Sequence, residues 1–524
     1  MRKFILISIA LLLVLPAFLL GLYGVLTFAG RSVGRGGDTL IYAREKDSIT
    51  LDPVLSQDEE SNKVISNIFE GLVRFKPGTT EIEPCLAEAW RVSSDGREWT
   101  FYLRKNVQFH DGTPFNSEAV KFNVERQMPP QRTENMAYSL FAFGVIDKVI
   151  TPDTYTVKFF LKYPYAPFLH NLAMPTTAPI VSPAAVTALG ETFGSKPVGT
   201  GPFKYIRWKK GKYIILEANR DYWGKQPEFK KLAFTVVKNS RIRSLALKMG
   251  LADIVDGLTP SDTRFLEQSN FPIIKKPGLD LDYLGFFTDK KPFDNPAARR
   301  AVSMSIDREQ IMADLFQYAS YEANGPLPPG VLGYDPSTKL LPYDPAGAKE
   351  ILALNGLSGE KITIITYLNS RIYNPAGGEK LAAALQTDLA RIGFDVEIKA
   401  YPWQQYKEAL YKEEGNAFLY GWISDNGDPD NFLYTLLSSS QIKSGLNIAR
   451  YQNNDVDQLL VKAQQETEPL LREELYHKAT KIIIQDAPWV FLNHSLSLAA
   501  ASPGIDGFIP LSTGCIPLNN LKKQ

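Results

Sequence analysis

Apolar and polar residues follow two kinds of pattern that recur from about residue 38 to the carboxyl end. Short alternating runs rich in aromatic and branched residues, such as 99–103 and 213–216, predict β-strands. A period near 3.6 residues predicts a second set of elements, the helices 61–72, 116–126, 296–305, 345–354, 379–392 and 455–485. Because strands and helices are mixed without a regular βαβ repeat or a longer internal period, we expect an α/β protein and not a solenoid or propeller.

Helix-start signals support three of these helices. Asn116 precedes the second helix, and asparagine caps helices well through its side-chain oxygen. Pro296 and Pro345 each follow an Asn or Asp, and proline suits the first helical position because the N–H there has no intrahelical partner. These helices are therefore expected to begin directly after their capping residues.

The first long apolar run lies at the amino terminus. Residues 4–29 carry no charge and follow Met1-Arg2-Lys3, which is the arrangement of an export signal. The run also exceeds the roughly 20 residues that span a bilayer. Residues 1–37 are therefore either a cleaved signal peptide or a retained membrane anchor, and the sequence does not decide between the two. A buried core helix is the third explanation. With either of the first two, the rest of the chain works in the periplasm or outside the cell.

Composition narrows the function classes. The chain has 524 residues, of which 44% are hydrophobic and 22% charged, so it can bury the cores of several domains. With 58 basic and 57 acidic residues its formal net charge is +1, and a nucleic-acid partner is not expected. The four histidines are scattered, and no His-Glu-x-x-His, phosphate-loop or Gly-x-Ser-x-Gly motif occurs. We therefore expect no metal, no cofactor and no enzyme activity, although distant segments can assemble a catalytic site.

The two cysteines, Cys85 and Cys515, are too far apart for a local metal or redox motif. Outside the cytoplasm thiols oxidise, so the pair could form one disulfide that closes a very long loop. Two separately buried thiols are the alternative.

Several blocks of the chain carry a family resemblance. The stretches 72–73, 82–90, 94–96 and 101–112, the last reading Phe-Tyr-Leu-Arg-Lys-Asn-Val-Gln-Phe-His-Asp-Gly, resemble the signature region of the peptide/nickel class, or family 5, of extracytoplasmic solute-binding proteins. Further blocks resemble that family in the same order, at 197–203, 219–224 and 294–307. The resemblance covers about residues 38–510, and the segment 421–432 is most similar to the dipeptide-binding members.

The resemblance implies a two-lobed periplasmic-binding-protein fold of the class II, or cluster C, type. Lobe I would comprise residues 38–281 and 495–524, with an extra subdomain at 65–188. Lobe II would comprise residues 282–494. Two strands, near 283–287 and 489–493, would cross between the lobes as a hinge, and ligand would bind in the cleft between them.

The resemblance also implies a function. The protein would be the monomeric receptor of an ABC importer, binding short, dipeptide-like ligands and delivering them to permease subunits in the cytoplasmic membrane. A receptor of the same fold for a nickel chelate, haem or a sugar is the first alternative, and an extracytoplasmic hydrolase is the second.

A short peptide is a zwitterion, so an enclosed site needs one acid and one base, because burying an unpaired charge is costly. By the family's motifs, Asp425 is the residue for the peptide ammonium and Arg371 the residue for its carboxylate. Tyr373 would accompany Arg371, either donating its hydroxyl to the ligand or simply packing. Trp403 and Trp422 would line the cleft, and Ser56 would add a polar contact from lobe I.

Each of these residues also has a plain structural explanation. Asp425 could cap a turn in its Asp-Asn-Gly-Asp-Pro run, Arg371 could be a solvated loop residue, and the tryptophans could belong to the core. Asp428 and Asp430 are better explained as the start of a helix. Their spacing does not fit a calcium loop.

Overall fold

The computed structural model describes residues 38–317, 319–510 and 517–523. They form the mixed α/β fold that the sequence predicts. The strands are β1 Thr39–Arg44, β2 Val73–Phe75, β3 Ile82–Pro84, β4 Ala87–Val92, β5 Glu98–Leu103, β6 Ile146–Asp153, β7 Thr156–Leu161, β8 Phe203–Lys209, β9 Tyr213–Ala218, β10 Lys231–Val236, β11 Ile254–Val255, β12 Ile273–Pro277, β13 Asp280–Phe286, β14 Ser320–Glu322, β15 Lys361–Tyr367, β16 Asp395–Tyr401, β17 Ala417–Ile423, β18 Trp489–Ala501, β19 Ile505–Asp506 and β20 Lys522–Lys523.

The helices are α1 Glu59–Ile68, α2 Ser117–Glu125, α3 Ser139–Phe143, α4 Phe168–Asn171, α5 Pro183–Leu189, α6 Ser240–Lys248, α7 Pro260–Glu267, α8 Pro296–Ser305, α9 Arg308–Ile311, α10 Pro345–Leu354, α11 Gly378–Arg391, α12 Trp403–Tyr411, α13 Leu433–Leu437, α14 Asn454–Gln465 and α15 Pro469–Asp486. Short 3-10 helices occupy Gly190–Ser195, Pro429–Asn431 and Ser439–Gln441, and Met312–Phe316 forms a short π-helix.

One large sheet runs through both lobes. Its main path is β16-β15-β17-β13-β18-β11-β1-β10-β9-β8, and β12 and β14 also pair with β18. The first part of β18 pairs with β13, and its last part pairs with β11 and β12. Because only two residues separate the end of β12 from the start of β13, the chain crosses between the lobes twice, side by side. The segments predicted to cross, 283–287 and 489–493, lie next to these crossings but pair with each other within the second lobe, and the chain itself crosses between Pro277 and Asp280 and between Asn493 and Leu496.

The apolar cores follow this division. The largest lies in the second lobe, around β13, β15 and β17 and the helices that cover them. Another lies between residues 72 and 180, against the small antiparallel sheet β4-β5-β7-β6, where Phe101, Phe159 and Phe168 meet edge to face. This core falls inside the predicted extra subdomain. The two-lobed fold is as predicted, while the exact residues that bound each lobe stay a prediction.

The predicted caps form as expected. Asn116 accepts a hydrogen bond from the N–H of Ala119, and Asp344 accepts one from Gly347. The bounds of α8 and α10 coincide with the prediction. The single helix predicted at 455–485 is wrong, because the chain forms α14 and α15 instead. Pro469 begins the second of these, and a residue before proline is pushed out of the helical conformation.

Two predictions concern residues outside the described ranges. The export or anchor segment lies within residues 1–37, and Cys515 lies within 511–516. Within the ranges that are described, no helix combines the length and the apolar character needed to cross a membrane. The role of residues 1–37 as a signal peptide or an anchor and the pairing of Cys85 with Cys515 therefore stay predictions.

Candidate functional site

Two neighbouring parallel strands bring the predicted acid and base to the same edge of the sheet. Strands β15 and β17 pair in parallel, with Ile365 opposite Phe418. Arg371 comes four residues after β15 ends and Asp425 comes two residues after β17 ends. Because the carboxyl ends of parallel strands meet at one edge, both side chains belong to the rim where ligands of open α/β sheets bind.

The Arg371 side chain is held by aromatic stacking. Its Cζ atom lies 3.5 Å from the centroid of the Trp403 ring, and that ring in turn stacks on Tyr420. Two backbone hydrogen bonds with Asn374 close the loop around Arg371, at 2.8 and 3.0 Å. The guanidinium is only partly exposed, and its Nε atom is buried without a hydrogen-bond partner in the described part of the chain. The base is therefore fixed in place with donor groups unused.

Asp425 lies where the two lobes meet. It is partly buried, and burial raises the pKa of its carboxyl group to about 6. A hydrogen bond from Tyr138 of lobe I, the residue before α3, partly opposes this increase. Tyr138 was not singled out from the sequence, because the contact joins positions far apart in the chain.

Neither charge is neutralised by a protein partner. Among the residues described, no lysine, arginine or histidine nitrogen lies within 4 Å of the Asp425 carboxylate, and no carboxylate lies that close to Arg371. Several other buried charges are paired, as Asp428 is with Arg472. One acid and one base are thus left free for groups of opposite charge.

Tyr373 and Trp422 support the walls of this site. The ring of Tyr373 packs on Gly421, where an added Cβ would come within 2.3 Å of the ring. Its carbonyl oxygen accepts a hydrogen bond from Asn493 on β18, which ties the Arg371 loop to the hinge. The indole N–H of Trp422 donates to Asn431 at 2.8 Å, so this ring braces the segment that carries Asp425.

Ser56 is placed differently from the other predicted site residues. It is fully buried, its hydroxyl donates to Asn62 at 2.7 Å, and its carbonyl oxygen accepts from Thr176. These bonds lie within lobe I. Its side chain is therefore already engaged, and a role in ligand binding stays a prediction that this placement does not support.

The segment 424–431 is here called the aspartate loop. Within it Asp428 caps the short 3-10 helix Pro429–Asn431, where the sequence predicts the start of a helix. The Asp428 carboxylate accepts from the N–H of Asp430 at 2.9 Å. It also makes a bidentate pair with Arg472, at 2.6 and 2.7 Å, whose positive charge holds the pKa of Asp428 below its usual range. The sequence offered no signal for this pair, because 44 positions separate its members.

The described residues offer no other obvious chemistry. No group of three or more metal-ligating side chains occurs among them. Cys85 is buried 3.8 Å from Glu70, and burial raises the pKa of its thiol well above the usual range. A buried neutral thiol of this kind is inert unless it is oxidised.

Residues 81–444 match the family model for bacterial extracellular solute-binding proteins, family 5. The chain belongs to this family. The predicted family and fold are therefore confirmed. Family 5 proteins are extracytoplasmic binding proteins, not enzymes, and they serve ABC permeases.

Individual family 5 relatives span most of the chain. Heme-binding protein A of Haemophilus influenzae is 32% identical, over 90% of this chain and 90% of its own length. The dipeptide-binding protein of Escherichia coli K12 is 31% identical, over 90% and 92%. The solved structure of the periplasmic binding protein DppA from Helicobacter pylori, in complex with the peptide STSA, is 34% identical over 93% of this chain and 98% of that one, with a TM-score of 0.73.

Proposed function

We propose that this protein is the receptor of an ABC importer for short peptides, with dipeptides as the first candidates. Asp425 would bind the peptide ammonium and Arg371 the peptide carboxylate. Tyr373, Trp403 and Trp422 would bound the space between them.

One observation carries this proposal. A carboxylate and a guanidinium stand at one edge of the sheet, partly buried, and neither has an ionic partner among the described residues. A ligand that bears both charges, at its two ends, would neutralise both at once. A zwitterionic peptide has that chemistry, and the names of several relatives, which refer to di- and tripeptides, point the same way.

The test uses peptides with blocked ends. Removing one partner of a buried charge pair costs on the order of 2 to 5 kcal/mol, which is roughly 30-fold to several thousand-fold in affinity. N-acetylation should weaken binding to the wild type but have little further effect on Asp425→Ala. C-terminal amidation should behave likewise with Arg371→Ala.

Calorimetry on four combinations of protein and peptide for each end completes two double-mutant cycles. The proposal fails if blocked and free peptides bind equally well. It also fails if both alanine variants keep the wild-type affinity.

Export, delivery to the permease and a monomeric state belong to the same proposal. Protease treatment of spheroplasts should reach the protein, whether it is released or tethered by residues 1–37.

Haem is the alternative ligand, because one relative is named for haem binding. Mass spectrometry of the small molecules released from protein purified from its native host would distinguish a peptide from a haem.

A further inference from the structure

The aspartate loop is held from the opposite lobe by more than Tyr138. The side-chain amide of Asn426 donates to the Oδ1 atom of Asn171, the last residue of α4, at 2.8 Å. Both amides are almost fully buried, at 1% and 0% exposure. This is a direct hydrogen bond between the two lobes, one residue away from Asp425.

Each amide is also anchored inside its own lobe. Asn171 donates to the carbonyl oxygens of Phe141 and Ala142 in α3, the helix that begins next to Tyr138. The Oδ1 atom of Asn426 accepts from the N–H of Asp428 at 3.0 Å. The bond between them therefore connects the helix beside Tyr138 with the backbone of the loop that presents Asp425.

Two further contacts join the same surfaces. The Nδ1 atom of His170 lies 3.2 Å from the Asp428 carboxylate, without the geometry of a hydrogen bond, and that carboxylate is already paired with Arg472. The hydroxyl of Tyr165 donates to Asp430 at 3.3 Å. Each of these contacts joins a residue of one lobe to a residue of the other, so separation of the two surfaces would break all of them.

We propose that Asn171 and His170 are positioning residues that latch the aspartate loop to lobe I. They would act through Asn426 and Asp428 and not by touching the ligand. Because the latch adds free energy to the closed form alone, it raises the affinity for any ligand that binds between the closed lobes. This inference rests on the proposed function in one respect, since peptides serve as its probe.

The variant Asn426→Ser removes the hydrogen bond to Asn171 while keeping the turn inside the aspartate loop. A serine hydroxyl can still accept from the N–H two residues later, as in a serine turn, but it is too short to reach Asn171. Asn447→Ser is the matched control. Asn447 is equally buried, and its amide donates to Ser438 and Tyr451 within lobe II only.

We expect Asn426→Ser to weaken free, N-acetylated and C-amidated peptides by the same factor, about 3- to 30-fold, the range for a lost buried hydrogen bond. The melting temperature of the ligand-free protein should fall by less than that of Asn447→Ser, because only the closed fraction of the protein loses the bond. Asn447→Ser should show the reverse, with a lower melting temperature and unchanged affinity. His170→Phe, a second variant, should weaken all three peptides as Asn426→Ser does.

Three results would overturn the latch. Asn426→Ser could leave affinity unchanged, could weaken only peptides with a free amine, or could lower the melting temperature as much as Asn447→Ser does. If the wild type binds none of the peptides, the proposed function fails and the latch is tested without ligand. Small-angle scattering should then give a larger radius of gyration for ligand-free Asn426→Ser than for wild type, and equal radii would refute the latch.

Discussion

The guanidinium of Arg371 lies over the indole ring of Trp403, with 3.5 Å between its Cζ atom and the ring centroid. The stack occupies one face of the guanidinium and leaves its N–H groups, which point outward in the plane, available to a carboxylate. Because Tyr420 stacks on the same indole, the base is positioned before any ligand arrives. Part of the affinity for a peptide carboxylate should therefore depend on Trp403.

We expect Trp403→Leu to weaken binding of free peptides by about 3- to 30-fold, since a cation–π contact is worth on the order of 0.5 to 2 kcal/mol. Arg371→Lys should weaken it at least as much, because an ammonium cannot grip a carboxylate with two parallel bonds. Calorimetry with C-amidated peptides is the control. If Trp403→Leu weakens amidated and free peptides equally, the ring contacts the ligand itself and does not act through Arg371.

The affinity for free peptides should follow a bell-shaped pH profile. Asp425, with its pKa near 6 in the ligand-free protein, loses its negative charge as the pH falls, so binding should be about tenfold weaker at pH 5 than at pH 7. On the alkaline side, binding weakens as the peptide amine, with a pKa near 8, loses its proton.

Asp425→Asn should bind weakly and lack the acid limb of this profile, and N-acetylated peptides should lack both limbs. His170 is also buried between the lobes, and this burial lowers its pKa, so protonation of its imidazole in acid would oppose closure. His170→Phe tests this. An acid limb that vanishes in His170→Phe but persists in Asp425→Asn would assign it to the histidine.

Asp282 should make stability fall as the pH rises. It is fully buried on β13, both carboxylate oxygens lack hydrogen-bond partners among the described residues, and burial together with the nearby Asp280 raises its pKa well above the usual range. The folded protein therefore holds a proton on Asp282 that the unfolded chain releases above about pH 4. Folding then requires proton uptake at neutral pH.

We expect Asp282→Asn to gain stability over wild type as the pH increases from 5 to 8, measured by urea unfolding. The neighbouring variant Asp280→Asn is the control, because Asp280 accepts hydrogen bonds from Ser495 and its replacement should destabilise the protein. A wild type and an Asp282→Asn variant with parallel pH profiles would show that Asp282 is ionised in the folded protein.

We expect Cys85 and Cys515 to be joined in protein exported by its native host. The reason is the oxidising compartment together with an even number of cysteines. Peptide mapping without reduction should find the cross-link, and reduction should lower the melting temperature, since the bond closes a very long loop. Two thiols that alkylate freely after denaturation of unreduced protein would refute the pairing.

Local signals predicted the parts of this structure that local physics determines. Helices α8 and α10 have the expected bounds because an Asn or Asp cap followed by proline fixes a helix start wherever the chain packs. The same rule, applied at Pro469, would have divided the helix predicted at 455–485. Asp425 and Arg371 are predicted as ligand-binding residues from family motifs alone, because a lone Asp or Arg in a loop carries no signal of its own.

The contacts between lobes could not be predicted in this way. Asn171 and Asn426 are 255 positions apart, and neither residue type nor spacing indicates that they meet. Asp282 is a similar case. An acid in a strand-like run is expected on an exposed face, and only the pairing of β13 between β17 and β18 buries it.

Strand β18 has a consequence for how the protein folds. Its first residues complete the sheet of the second lobe, and its last residues pair with β11 and β12 of the first lobe. Val255, for example, can pair with Ala500 only after the chain has been made as far as residue 500. A chain that emerges from its amino end cannot finish lobe I until nearly all of lobe II has been made. Pairings across so many residues are slow to form. We expect the first lobe to be the last to become resistant to protease during refolding, although its sequence begins first.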